Sequence, residues 1–164
     1  MTDTEDNQPQ TIVSSAAGFS PVRLKATDSD DVQVLSALLQ DGLIASGDMH
    51  YDQHSQCFIL LVNRFCWELS EQADDANHTA YRCMCGLHIS GVLRLSHRNF
   101  SHDRDTAQFY NLLAISYDQA EKQLNLVFSD GVEIRCEIDS LDIRLKDVAP
   151  PHPAQKIPDH QNTA

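Results

Sequence analysis

The spacing of apolar residues changes once along this chain, at Gly42, and this change constrains the fold more than any other feature. Before Gly42, the segment 28–41 has helical spacing. Its apolar positions are Val32, Leu35, Leu38 and Leu39. After Gly42, apolar and polar residues mostly alternate, which is the period of a strand with one buried face. The sequence therefore predicts one amphipathic helix followed by a mostly β chain.

Turn and cap residues set the boundaries of these elements. Thr27 and Asp30 have the spacing of a capping pair, and Gly42 suits a helix C-terminus. Asp130-Gly131 predicts a tight hairpin turn, with Ile134, Cys136 and Ile138 pointing inward. Gly86 and Gly91 indicate a bulge or break in the long segment 81–96. The other predicted strands are 21–26, 43–51, 56–69, 110–118 and the two arms of the hairpin within 122–139; segment 140–148 fits both a strand and a helix.

These elements predict an α+β fold that is mostly β. We expect an antiparallel meander of about seven strands with one N-terminal amphipathic helix. The sheet is expected to be either curved or closed into a partly open barrel. Residues 21–149 form the predicted single domain; the acidic and polar stretch 1–20 and the proline-rich stretch 150–164 are predicted to be disordered tails, because neither can bury enough apolar surface.

Charge and cysteine content bear on location and partners. The net charge is −12, which disfavours nucleic acid and anionic lipid as default partners. The sequence has no apolar run of about 18 residues, and it has acids where a signal peptide needs basic residues. Its five cysteines lack an exported context, so free thiols in a reducing compartment are expected. We therefore predict a cytoplasmic protein that does not bind membranes.

The window 80–104 departs from this acidic background. It contains four arginines and one acid, a net charge of +3 with histidine neutral. Arg94 and Arg98 flank His97, and Arg82 begins the window. The window is either a solvated patch that balances nearby acids or a docking surface for an acidic partner. As a docking surface it could also bind RNA, with aromatic contacts from Phe100 and Tyr110.

The stretch "GDMHYDQH" raises the question of a metal site. Asp48, His50 and Asp52 share one side of an extended strand, and carboxylate and imidazole suit zinc or iron. However, the intervening Met49 and Tyr51 give the alternation expected of a half-buried strand without any metal. We expect no metal site, and the three residues stay weak candidates.

The stretch "VNRFCWEL" offers a second candidate surface. Phe65 and Trp67 would share one strand face, and Arg64 and Glu68 the other. This pattern fits an aromatic core pair with an external ion pair, and it also fits a recognition surface of arginine and tryptophan. The sequence contains no glycine-rich phosphate loop and no Gly-x-Ser-x-Gly motif, so we expect no cofactor and lean away from an enzyme.

Three hypotheses for function follow. The first is a non-enzymatic cytoplasmic binding or adaptor domain whose partner is a protein with an acidic surface. Its candidate binding residues are Arg64, Trp67, Arg82, Arg94 and Arg98. The second is a small metal-dependent enzyme centred on Asp48, His50 and Asp52. The third is an RNA-binding accessory protein that uses the window 80–104, which the net charge makes the less favoured partner.

Several segments together resemble an uncharacterised alphaproteobacterial family, domain of unknown function 2948. The resemblance runs from about Leu24 to Pro151. It rests on "GDM" with Tyr51, on "NRFCWE", on Arg82 with "GLHISGV", on "LLAISY" and on "LKDVAPP". The family pattern includes neither the histidines at 50 and 54 nor the cysteines at 83 and 85. The resemblance implies no activity, and it disfavours a metal site.

Overall fold

Eleven strands and two helices lie in the residues that the computed structural model describes, which are 19–70, 79–101 and 108–154. The strands are β1 (Arg23–Ala26), β2 (Gly42–Ala45), β3 (Met49–Asp52), β4 (Cys57–Phe65), β5 (Tyr81–Ile89), β6 (Val92–Arg98), β7 (Phe109–Asp118), β8 (Gln123–Phe128), β9 (Glu133–Ile138), β10 (Ile143–Asp147) and β11 (His152–Pro153). The helices are α1 (Ser29–Leu39) and α2 (Trp67–Ser70). The mostly β, α+β class predicted from the apolar spacing is confirmed.

All strand pairs are antiparallel and belong to one sheet. The strand order is β1-β10-β5-β4-β2-β7-β8-β9-β6, with β11 added to β5 and β3 to β4. The sheet does not close, because this path ends at β1 on one side and at β6 on the other. Alternate residues of the central strands point to a shared core, so each strand presents one buried face and one outer face.

Helix α1 packs its apolar side on this core. Val32, Leu35 and Leu39 are buried there. The cap lies one residue later than the predicted pair of Thr27 and Asp30. Asp28 is the N-cap and its side chain accepts the N–H of Asp31 at 2.8 Å, while Asp31 in turn accepts the N–H of Thr27 at 2.9 Å. This reciprocal pair fixes the helix start by satisfying two N–H groups.

Three predicted strands have different bounds in the structure. The predicted strand 43–51 is interrupted by a single 3-10 turn at Ser46–Asp48, which separates β2 from β3. The predicted strand 56–69 ends at Phe65, because the chain turns into α2. The predicted strand 81–96 breaks at Gly91, where φ is +69°, and continues through Gly86. The ambiguous segment 140–148 contains strand β10.

The hairpin formed by β8 and β9 has the predicted turn. Asp130 and Gly131 both have positive φ, +60° and +69°, which is the conformation that favours Asp-Gly at this position. Ile134, Cys136 and Ile138 are buried as expected. The turn therefore sets the register that places the charged residues of β9 on the outer face.

The folded part extends beyond residue 149, because β11 pairs with β5 inside the predicted C-terminal tail. The predictions for residues 1–18, for the acidic loop 71–78 and for 102–107 lie outside the described residues. In the part of the chain that the structure covers, none of the helices has the length and apolar character needed to cross a membrane.

Candidate functional site

Arg64 lies in a buried ion-pair network at the end of β4. Its Nε and Nη2 atoms donate to the two carboxylate oxygens of Asp147 at 2.8 Å each. Its Nη1 and Nη2 atoms donate to Glu68 at 3.1 and 2.7 Å. The side chain of Arg64 is 0% exposed and that of Asp147 is 1% exposed, whereas Glu68 is 36% exposed. Arg64 is therefore not part of an exposed arginine surface, contrary to the expectation for a binding residue.

The network keeps both buried groups ionised. Burial alone would lower the pKa of Arg64, but the hydrogen bonds that Arg64 donates to Asp147 and Glu68 outweigh it and raise that pKa. Burial alone would likewise raise the pKa of Asp147, but the bonds from Arg64 and from the backbone N–H of Val22 hold it below its usual value. Because two carboxylates occupy the guanidinium fork, Arg64 ties β4 to β10 and α2.

Arg82 and Trp67 also make contacts within the fold. The Nη1 atom of Arg82 donates to the backbone oxygens of Asp41 at 3.1 Å and of Asn63 at 2.9 Å. Its guanidinium carbon lies 5.8 Å from the centre of the Phe65 ring. Trp67 packs against Phe65 with 4.4 Å between ring centres and an angle of 55° between the rings, although it begins α2 rather than continuing a strand. The predicted aromatic pair therefore exists, but strand alternation is not its cause.

Arg94 and Arg98 are the exposed members of the predicted set. Both lie on the outer face of β6, and their side chains are 72% and 66% exposed. Arg98 forms an ion pair with Glu133 at 2.6 Å, and Arg94 approaches Glu137 at 3.9 Å. The structure thus divides the predicted arginines between two regions, with Arg64 and Arg82 on β4 and β5 and Arg94 and Arg98 at the far end of the sheet.

A depression of about 220 Å³ lies beside Arg98 on the surface of β6, β8 and β9. Its lining consists of Ser96, His97, Arg98, Asn125, Glu133, Ile134 and Arg135. The Nε atom of Arg135 donates to the Asn125 side chain at 3.2 Å. Arg135 was missed by sequence reasoning because it lies in a regular strand outside the basic window. Because Ser96 pairs with Arg135, the side chain of Arg135 lies on the same outer surface as Arg94 and Arg98. We call the outer side chains Arg94, Ser96, Arg98 and Arg135 the arginine face.

The weak metal candidates do not converge. Asp48 is exposed in the 3-10 turn and His50 is exposed on β3. Asp52 accepts the hydroxyl of Ser55 at 2.6 Å and the N–H of His54 at 2.9 Å, and these bonds, led by that of Ser55, lower its pKa. Among the described residues, no group of three or more His, Cys, Asp or Glu side chains is arranged to hold a metal ion.

Replacing His50 with Ala is therefore expected to leave the free energy of unfolding within about 0.5 kcal/mol of the parent value, since an exposed side chain is removed. Elemental analysis of the purified parent protein is expected to give no stoichiometric zinc, iron or manganese. One metal ion per chain that is lost in the His50→Ala variant would contradict the interpretation of this stretch as a half-buried strand.

None of the buried cysteines is an activated nucleophile. Burial raises the pKa of Cys66 and of Cys136 to about 12 and that of Cys83 to about 11. Burial also raises the pKa of Cys85. All five cysteines are free, and Cys57 is half-buried. Because a thiol must ionise to attack, the four buried cysteines behave as small apolar core residues.

The aromatic side chains proposed for RNA stacking lie partly or fully in the core. Tyr110 is buried and packs against Phe128, and half-buried Phe100 packs against Tyr110 with 5.7 Å between ring centres. Bases stack on exposed aromatic faces, so this pair does not provide a platform for single-stranded nucleic acid.

The comparison with protein families identifies the family of this chain. Residues 22–160 match the family model described as protein of unknown function (DUF2948). The chain belongs to this family. The match spans the whole described fold from just before β1 and includes both the buried Arg64 network and the arginine face. No curated protein and no solved structure matches the DUF2948 chain.

Proposed function

We propose that this chain is a non-enzymatic binding or adaptor module that recognises a protein through the arginine face. The observation that carries the proposal is the depression beside Arg98. Two arginines, two short polar side chains, one glutamate, one histidine and Ile134 line it. Its volume of about 220 Å³ is below the roughly 300–1,000 Å³ of typical small-molecule sites. A single acidic side chain from a protein partner suits it better than a metabolite.

The charges of this region support an acidic partner. Arg94, Arg98 and Arg135 face outward beside Glu133 and Glu137, which leaves a net charge of +1 on a chain of −12. Exposed ion pairs contribute only about 0–1 kcal/mol each, so a partner carboxylate can replace the intramolecular one at little cost. Arginine also suits this role because its planar fork can bind a second carboxylate.

We further place the protein in the bacterial cytoplasm. The support is that all five cysteines are free, since free thiols persist in reducing compartments. The bacterial assignment comes from the sequence resemblance to the alphaproteobacterial family. The arrangement of the described residues favours neither the metal-enzyme hypothesis nor the RNA hypothesis over a binding module.

Partner binding is expected to weaken by about tenfold or more when Arg94 and Arg98 are both replaced with Glu, because the reversed charges oppose an acidic surface. Partners are first captured from native cytosol and identified by mass spectrometry. The affinity of the purified pair is then measured. The control is Gln33→Glu with Ala37→Glu, which adds negative charge at exposed positions of α1, outside the arginine face. Equal loss in both double variants would contradict the assignment to the arginine face.

The dependence of this affinity on salt distinguishes a protein partner from RNA. We expect a change of less than about tenfold between low and physiological salt, because partly desolvated contacts resist screening. RNA would show a loss of roughly three or more powers of ten, since each neutralised phosphate releases counterions. A loss of that size would replace the proposed protein partner with a nucleic acid.

A further inference from the structure

A second surface lies on strands that do not contribute to the arginine face. It is the outer side of β1, β10, β5 and β4, and we call it the basic apolar face. Pairing across these strands produces one row made of Lys25, Arg144, His88 and Ile59. The neighbouring row is made of Arg23, Lys146, Gly86 and Leu61. Opposed residues have Cβ atoms about 4.5–5.5 Å apart, so each row passes continuously from cations to apolar side chains.

The apolar side of this face is open to solvent in the described part of the chain. Leu61 is 38% exposed and Val148, next to β10, is 55% exposed. Gly86 lies between Leu61 and Lys146. A Cβ atom added at Gly86 would come no closer than 4.0 Å to its nearest neighbour, Val148 Cγ1. The missing side chain therefore leaves a notch between the apolar and basic sides.

The basic side concentrates positive charge on an acidic protein. Arg23, Lys25, Arg144 and Lys146 contribute +4, so the remainder of the chain carries −16 when the total is −12. Arg144 lies 3.5 Å from Asp142, which balances part of this charge. A contiguous strip of cations beside exposed aliphatic side chains is complementary to a segment that is acidic on one side and apolar on another.

We propose that the basic apolar face docks an acidic amphipathic helix of a partner protein. The helix lies along β4 and β5 with its apolar side on Ile59, Leu61 and the notch at Gly86, and its carboxylates face β1 and β10. The exposed apolar positions of β4, Ile59 and Leu61, lie about 7 Å apart along the strand, close to the roughly 6 Å between leucines four positions apart on a helix.

The composition of the face favours this occupant over two other anionic ones. Exposed apolar positions in the two rows are aliphatic, whereas single-stranded nucleic acid requires aromatic stacking. An anionic membrane would attract the four cations but would repel the larger negative charge of the remaining chain. The proposal goes beyond the arginine face, because the two surfaces share no residue and lie on different strands.

The test uses a fluorescent peptide of about 18 residues with leucines at helical spacing and glutamates along one flank. Anisotropy measures its binding to the full chain. The parent protein is expected to bind it saturably. Arg23→Glu with Lys146→Glu is expected to weaken binding by about tenfold or more, and Leu61→Ser by several-fold. The control, Gln33→Glu with Ala37→Glu at exposed positions of α1, adds negative charge outside both faces and is expected to change it less than about twofold.

Each alternative result overturns the proposal in a specific way. No saturable binding, or equal loss in both double variants, would remove the basic apolar face as a docking surface. Co-sedimentation with phosphatidylserine vesicles in the absence of peptide binding would assign it to a membrane. Concentration-dependent dimerisation abolished by Leu61→Ser would assign it to a second copy. Tighter peptide binding after Asp3, Glu5 and Asp6 are all replaced with Ser would assign it to the chain's own N-terminal segment. Failure here leaves the arginine face untouched, because Arg94→Glu with Arg98→Glu tests that region separately against the captured partner.

Discussion

Replacing Arg64 with Met is expected to lower the free energy of unfolding by about 3–5 kcal/mol, because the carboxylate of Asp147 would be left buried without its counter-charge. The side chain of Asp147 is 1% exposed, so water cannot replace the two lost hydrogen bonds. Chemical denaturation followed by circular dichroism measures the change. Met is chosen because it keeps most of the apolar volume of the arginine stem.

Two further variants serve as controls for the effect of Arg64→Met. Arg94→Met removes an arginine that is largely exposed, and it is expected to cost less than about 1 kcal/mol. Combining Arg64→Met with Asp147→Leu removes both buried charges, so the double variant is expected to lose less than the sum of the two single losses. A cost for Arg64→Met no larger than that for Arg94→Met would show that the network does not stabilise the fold.

The same network predicts how stability depends on pH. The pKa of Asp147 is depressed in the folded protein, whereas an unfolded aspartate titrates near about 3.9. The unfolded chain therefore binds a proton first as the pH falls. The contribution of Asp147 to the free energy of unfolding is fully present above about pH 5. It is lost as the pH falls through the depressed pKa of the folded protein. The parent protein is expected to lose more stability over this range than an Asp147→Asn variant.

Replacing Gly42 with Ala is the second substitution with a large expected effect, a loss of about 1–3 kcal/mol from overpacking. The new Cβ atom would lie 2.5 Å from Val62 Cγ1 and 2.9 Å from the backbone oxygen of Leu39. Val62 is buried in the core and the Leu39 oxygen is fixed at the end of α1, so neither atom can move aside easily. The melting midpoint is expected to fall accordingly.

Gly47→Ala is the matched control, because a Cβ atom at Gly47 would have no neighbour within 4 Å. That substitution is expected to be neutral or slightly stabilising, since it only restricts the unfolded chain. Equal effects at both glycines would show that the close approach of α1, β2 and β4 at Gly42 does not limit the side chain there.

The elements that the sequence predicted well are those in which one local signal is sufficient. The helical spacing of Val32 and Leu35 located α1, and Asp130-Gly131 located the last hairpin. The errors fall where a strand bends without losing its apolar alternation. Ser46-Gly47 is a turn signal, but the alternation on both sides of it outweighed this pair in the prediction, and Trp67 carries no glycine or proline that would mark the end of a strand.

The site residues depended on contacts between distant parts of the chain. When only its neighbours Phe65 and Glu68 are considered, the side chain of Arg64 is predicted to point outward. Its burial follows from Asp147, which lies 83 positions away and has no sequence signal that links the two. The basic apolar face was missed for the same reason, because its cations come from β1 and β10, which are paired strands far apart in the sequence. Cross-strand register, which a single sequence does not specify, brings them together.

The unequal burial of the thiols has a practical consequence for labelling. Cys66, Cys83, Cys85 and Cys136 are buried, whereas Cys57 is half-buried at the start of β4. A maleimide dye added to the native protein is therefore expected to attach at Cys57 without any cysteine being removed. Cys57 lies two positions before Ile59 on the same outer side of β4. The wild-type chain thus carries its own attachment point for a reporter beside the basic apolar face.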